Sequence, residues 1–233
     1  MGERIDKFIR QSVTSECQRL ADLITKGDID YRKLYYDWKN AILEQEYATG
    51  GETIYRGFYC PSPIYDILMG GCNRGRILKR FSNNSRPTYV YGFAENHKLV
   101  ITDFVHSEWK EVLIDYDNTV IGIAFDKEEV TAISECIYQS GKISSFGYGL
   151  YNAHADKLFD FYKEVYHYSE CGLESAETVS YINNAHMPVL QCNRYHFQHD
   201  NEGYLSSFSL EKIFNQESEK ANPIYCVRVK RKV

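Results

Sequence analysis

Gly141-Lys142-Ile143-Ser144-Ser145-Phe146 is echoed 62 residues later by Gly203-Tyr204-Leu205-Ser206-Ser207-Phe208. Each copy follows a short aromatic segment and a polar turn: Cys136-Ile137-Tyr138-Gln139-Ser140 before the first, and Tyr195-His196-Phe197-Gln198-His199-Asp200-Asn201-Glu202 before the second. A looser third version runs Tyr89-Val90-Tyr91-Gly92-Phe93, then Glu95-Asn96-His97-Lys98, then Leu99-Val100-Ile101. Aromatic and polar residues alternating on either side of a two- to five-residue turn mark a β-hairpin. A chain that writes hairpins repeatedly builds an antiparallel surface. The two close copies are expected to be separated by a helix, so they are turns of one irregular sheet rather than a tandem solenoid.

Working outward, short strands are expected over 88–94 and 98–105, over 111–115 and 119–125, and over 130–139 and 142–150, each pair closing as a hairpin. Further strands are expected at 178–182, 189–197, 204–209 and 224–230. Thr102, Asp115, Ser134 and Ser144 at alternate positions predict a sheet with one wetted face. Helical spacing of Ala155, Leu158, Phe159, Tyr162, Val165 and Tyr166 behind a capping Asn152 predicts a helix over 153–168. A short helix is expected over 209–215.

Towards the N-terminus, Ile5, Phe8, Ile9, Val13, Cys17, Leu20, Ala21 and Ile24 recur at three- and four-residue spacing and predict a helix over 3–26, ended by Gly27. Asp28 or Asp30 then starts a second helix carrying Tyr31, Leu34, Tyr35, Trp38, Ala41, Ile42 and Gln45, stopped by Gly50-Gly51. The short connection predicts an antiparallel helix hairpin. Thr53–Tyr59 reads as a strand, Ser62-Pro63 as the start of a short helix through Leu68, and 76–81 as an edge strand. The expected architecture is α+β in a single domain, 1–233. A helical N-terminal part with a basic loop (1–86) precedes an acidic antiparallel β-hairpin part (87–233) that carries one or two additional helices.

The chain has 233 residues and a net charge of −5, distributed unevenly. Residues 87–220 hold 21 acids against 9 Lys or Arg, whereas 51–86 hold 6 Lys or Arg against 2 acids. An acidic surface of that extent argues against nucleic acid as the main ligand and suits a basic partner. No apolar run approaches the roughly 18 residues that a membrane-spanning helix needs. Seven scattered cysteines without a CxxC pair predict free thiols in a reducing compartment, the cytoplasm.

Cys192, His196 and His199 are the closest approach to a metal-ligand spacing. In a strand, however, His196 and His199 point to opposite faces, so no metal, cofactor or catalytic residue is expected. Cys60, Cys136 and Cys171 carry no local mark of a nucleophile, and Asp103-x₂-His106-Ser107-Glu108 reads as a turn. Asp103, Glu108, Asp115, Tyr116, Asp117 and Asp126 are the expected contacts with a partner, and Arg56, Arg74 and Arg76 the expected anion-binding groups. The twenty tyrosines supply rigid apolar bodies with polar tips, which suits strands and interfaces alike.

Ile54-Tyr55-Arg56-Gly57 resembles the first-strand Tyr-Arg-Gly of arginine-type ADP-ribosyltransferases. That resemblance implies an arginine gripping a dinucleotide phosphate, with the glycine-rich 70–76 loop as a second anion seat. No Ser-Thr-Ser strand follows it, and no Glu-x-Glu turn follows in a suitable context. Tyr195-His196-Phe197 through Gly203-Tyr204-Leu205 is similar to the YD (RHS-type) repeat. Over 88–210 the composition, size and hairpin texture resemble the immunity proteins of bacterial contact-dependent inhibition and polymorphic-toxin systems. This second resemblance implies a cytosolic, acidic protein that binds and occludes a cognate toxin domain, often a nuclease.

Overall fold

The computed structural model describes residues 2–26, 29–51, 55–65, 74–80, 86–127, 129–182, 189–213 and 224–225, with the side chains of 2–10 and 224–225 left aside. The chain divides into two compact units: a central one, Lys26–Glu135, and a terminal one formed by Met1–Thr25 with Cys136–Val233. Residues 81–85, at the end of the expected N-terminal part (1–86), lie outside the described residues.

The central unit begins with helix α1's successor, α2 (Tyr31–Ala41), after α1 itself (Gly2–Thr25) has ended in the terminal unit. Its strands are β1 (Glu44–Thr49), β2 (Arg76–Ile77), β3 (Tyr89–Ala94), β4 (Lys98–Phe104), β5 (Trp109–Tyr116) and β6 (Thr119–Asp126). They are hydrogen-bonded in the order β6-β5-β4-β3-β1-β2, with every register in the unit antiparallel. Asp30 caps α2 by accepting the backbone N–H of Lys33 at 2.9 Å. Fully buried Tyr35 holds the helix to β4, donating its hydroxyl to Asp103 at 2.5 Å. The aromatic core of the unit is Tyr89, Tyr91 and Phe93 around Ala48, with Tyr59 and Phe104 packed on it.

The terminal unit is a meander. Strand β7 (Glu129–Gln139) enters from the central unit's span. It is followed by β8 (Lys142–Asn152), β9 (Lys157–Ser169), β10 (Gly172–Ile182), β11 (Val189–His199), β12 (Leu205–Lys212) and β13 (Ile224–Tyr225), each paired with its predecessor. Helix α1 packs on β9, and Val13, Leu20 and Ala21 of the helix are buried. Glu16 and Lys163 join the two elements at 2.6 Å. Burial pushes the Glu16 carboxyl up, but Arg19 and Lys163 outweigh that effect and hold it at about 2.

The written repeat has one structural meaning in both copies. Gly141 (φ +77°) and Gly203 (φ +80°) take the left-handed conformation that the turn requires. Three residues on, Ser144 donates to the Ile137 carbonyl and Ser206 to the Gln198 carbonyl, each at 3.0 Å. Phe146 and Phe208 are then buried. Each serine stitches its strand back to the one before it.

The expected helix hairpin followed by a sheet with further helices is not what forms. The described chain is mostly antiparallel sheet, and its two α-helices belong to different units. The segment expected as a helix over 153–168 is β9, preceded by a short 3₁₀ turn at Ala153–Ala155. Its run of Phe, Tyr and Val favours a strand, and pairing with β8 and β10 on both edges overrides the accidental helical spacing. Ser209–Lys212, also expected as helix, continues β12. The second helix stops at Ala41, and Glu44–Thr49, expected as its end, pairs with β3 instead. Gly57–Tyr59, expected within a strand, is a 3₁₀ turn. Of the helix expected to begin at Ser62-Pro63, only the first turn is described, where Ser62 accepts the Tyr65 N–H at 3.0 Å. The one-wetted-face expectation fails at Thr102 and Ser134, which are buried. Among the described residues, no helix is long and apolar enough to cross a membrane.

Candidate functional site

A buried cluster of charged and polar groups in the central unit is built from Arg56 outward. Arg56 has left-handed backbone (φ +61°), as has Gly57 after it, and the reversal carries the guanidinium across the sheet. Its Nε donates to Glu111 Oε2 at 2.8 Å and its Nη2 to Glu111 Oε1 at 2.7 Å, a bidentate pair with both residues buried. Nη2 also donates to Ser134 Oγ at 3.2 Å, and Tyr55 donates to Glu111 Oε1 at 2.6 Å. Burial, and then the Glu111 charge, push the Tyr55 phenol well above its ordinary range.

Two further details fix this arrangement. Tyr91 donates to the Arg56 carbonyl at 3.0 Å and accepts the Phe58 N–H at 3.1 Å, clamping the turn. Gly122 lies beneath the pair. A Cβ there would stand 2.3 Å from Glu111 Oε1, 2.5 Å from Ser134 Oγ and 2.8 Å from Arg56 Nη2. The missing side chain leaves the room in which the ion pair crosses β6.

Arg74 is equally interior and donates to the backbone carbonyls of Cys60 and Ser62, whereas Arg76 is exposed on β2. The three arginines singled out in the sequence therefore do not converge. Residues 66–73, which include most of the 70–76 loop, lie outside the described residues.

The six candidate partner contacts fall into two groups. Register places Asp103, Glu108 and Asp126 at one end of the β4–β5–β6 strands, and Asp115, Tyr116 and Asp117 at the other. Eight-residue strands put the groups roughly 20 Å apart. Asp103 is engaged by Tyr35 and by Lys39 at 3.0 Å. Glu108, in the 105–108 turn, is exposed with left-handed backbone. Asp115 pairs with Lys98 at 2.5 Å. Tyr116, 46% exposed, stands at the hairpin tip beside exposed Asp117.

Cys192 is buried on β11 while His196 on the same strand is exposed and faces Glu211 at 3.5 Å. Cys60 and Cys136 are buried, and Cys171 is exposed in the β9–β10 turn. Cys72 and Cys226 lie outside the described residues. Among the described residues, the metal-ligating side chains that do converge are Glu44, Glu46 and His97.

The sequence left several partners unmarked. Glu111 and Ser134 lie 55 and 78 residues from Arg56, and no local pattern announces them. Gly122 did carry a signal: an isolated glycine inside the apolar run Val120-Ile121-Gly122-Ile123-Ala124 indicates close approach of another group. No protein-family model matches the chain, and no curated protein matches it.

Proposed function

We propose that the chain is a cytoplasmic immunity protein, an antitoxin that binds a cognate bacterial toxin domain and blocks it by occlusion. The toxin domain is basic, in keeping with a nuclease. The observation that carries this reading is the β5–β6 hairpin tip, where half-exposed Tyr116 stands between Asp115 and Asp117. An aromatic anchor with carboxylates beside it suits a basic protein surface: the ring supplies contact area and the charges speed encounter. The acidic excess over 87–220 extends that field.

The competing reading, a transferase holding NAD or another phosphate ligand through Arg56 and the 70–76 loop, is not favoured by the geometry. The Arg56 guanidinium faces Glu111 in the interior.

The test is coexpression with the toxin domain encoded beside this chain, followed by stopped-flow association of the purified pair. The expected result is a stable complex whose association rate falls roughly tenfold as salt rises from low to high ionic strength, with a further loss in Tyr116→Ala. Absence of a complex, or a rate indifferent to both salt and Tyr116, contradicts the proposal.

A further inference from the structure

We propose that Glu44, Glu46 and His97 form a binding site for a divalent transition-metal ion, with Zn²⁺ the best chemical fit. Glu44 and Glu46 are two apart on β1 and therefore share a face. The turn after β3 delivers His97 to them. One donor atom from each of the three lies within 4.8 Å of the other two. His97 Nδ1 is 3.2 Å from Glu44 Oε2. Two ligands on a tetrahedral zinc with arms of about 2.0–2.1 Å stand about 3.4 Å apart, so this pair is already at ligand spacing.

Each of two ligands is held by a group that is not itself a ligand. Tyr59 donates to Glu46 Oε2 at 2.5 Å, fixing that carboxylate. The His97 ring lies flat on Phe93, with centroids 4.1 Å apart and planes within 6°. Outer groups that orient ligands in this way are a regular part of metal sites.

The surroundings supply an independent reason. Tyr59 packs edge-on against Tyr91 (4.8 Å) and Phe93 (5.4 Å), and Phe93 is 1% exposed. The donors thus sit at the solvent-facing rim of an aromatic cluster, with Glu44 and His97 about half exposed, where two adjacent carboxylates repel and a bound cation relieves that repulsion. Imidazole with two carboxylates selects zinc and its neighbours over Mg²⁺ or Ca²⁺, which prefer all-oxygen sets. Three protein ligands leave a fourth position for water or a partner's side chain. The site is independent of the antitoxin reading.

Isothermal titration of the purified chain with Zn²⁺ tests it. One equivalent is expected to bind, with at least roughly tenfold weaker binding in both His97→Ala and Glu46→Gln and a smaller loss in Tyr59→Phe. Cys171→Ser and His196→Ala, which remove exposed ligands elsewhere, are expected to bind as the parent does. Co²⁺ in place of Zn²⁺ is expected to give visible bands that vanish in Glu44→Gln, a substitution at a 58% exposed side chain that leaves the fold intact. Absence of a one-to-one event overturns the proposal. So does an event that survives in His97→Ala or disappears in Cys171→Ser.

Discussion

The two units bury a carboxylate in different ways. In the central unit, Glu111 meets a guanidinium brought from a turn 55 residues earlier, and a glycine makes room for the pair. In the terminal unit, Glu164 accepts the hydroxyls of Tyr162, at 2.6 Å, and Tyr166, its neighbours two residues to either side on β9. Glu164 is fully buried. The first arrangement is long-range and ionic; the second draws on its own strand. A strand places positions 162, 164 and 166 on one face, which is why this acid can sit inside an aromatic run. Burial, and then the Glu164 charge, push the Tyr162 phenol far up, so it serves as a donor at every ordinary pH.

The contrast predicts unequal costs. Glu111→Leu strands a buried guanidinium and is expected to destabilise the central unit by about 3–5 kcal/mol in chemical denaturation. Tyr166→Phe removes one hydroxyl from Glu164 and leaves the Tyr162 bond in place, so about 1–3 kcal/mol is expected. Equal costs would erase the distinction between the two arrangements. Ser144→Ala and Ser206→Ala each remove one stitch of the repeated hairpin and are expected to cost about 1 kcal/mol apiece. A large difference between them would show that the two copies do not serve alike.

An effect no larger than that of a single serine is expected in acid. Glu16 is held at about 2 against an ordinary 4.5, so the folded state favours its ionised form. Its stabilisation is complete above pH 4.5 and is lost as pH falls towards 2. Glu16→Gln is expected to be about 1 kcal/mol less stable than the parent at neutral pH, with the gap closing across that window. A gap that persists unchanged at pH 2 would assign its cost to packing instead.

Sequence reading reached the hairpins because their signals are local, turn glycines and alternating aromatics; for the start of α2 it left Asp28 and Asp30 open, and Asp30 is the cap. It missed β9 because 155, 158, 159, 162, 165 and 166 satisfy helical spacing by coincidence, and only the neighbouring strands decide the matter. It extended α2 across Glu44–Thr49 because Glu, Gln and Ala suit a helix. The acids at 44 and 46 then looked like a solvated helical face rather than two donors side by side. Arg56 stood out in the sequence, but its partners depend on how distant strands register. The six acidic and aromatic candidates were singled out as turn and strand-end residues; that Asp103 and Asp126 are only partly exposed, and that the six divide between two ends of the strands, follows only from the β4–β5–β6 pairing.

Arg56 forms one half of an interior ion pair with Glu111. A double-mutant cycle on Arg56→Met and Glu111→Leu, followed by chemical denaturation without ligand, tests it directly. Each single substitution is expected to cost several kcal/mol and the double far less than their sum, with a coupling of about 2 kcal/mol or more. Near-neutral Arg56→Met with no coupling to Glu111 would contradict the account and return Arg56 to the surface chemistry that its sequence context resembles.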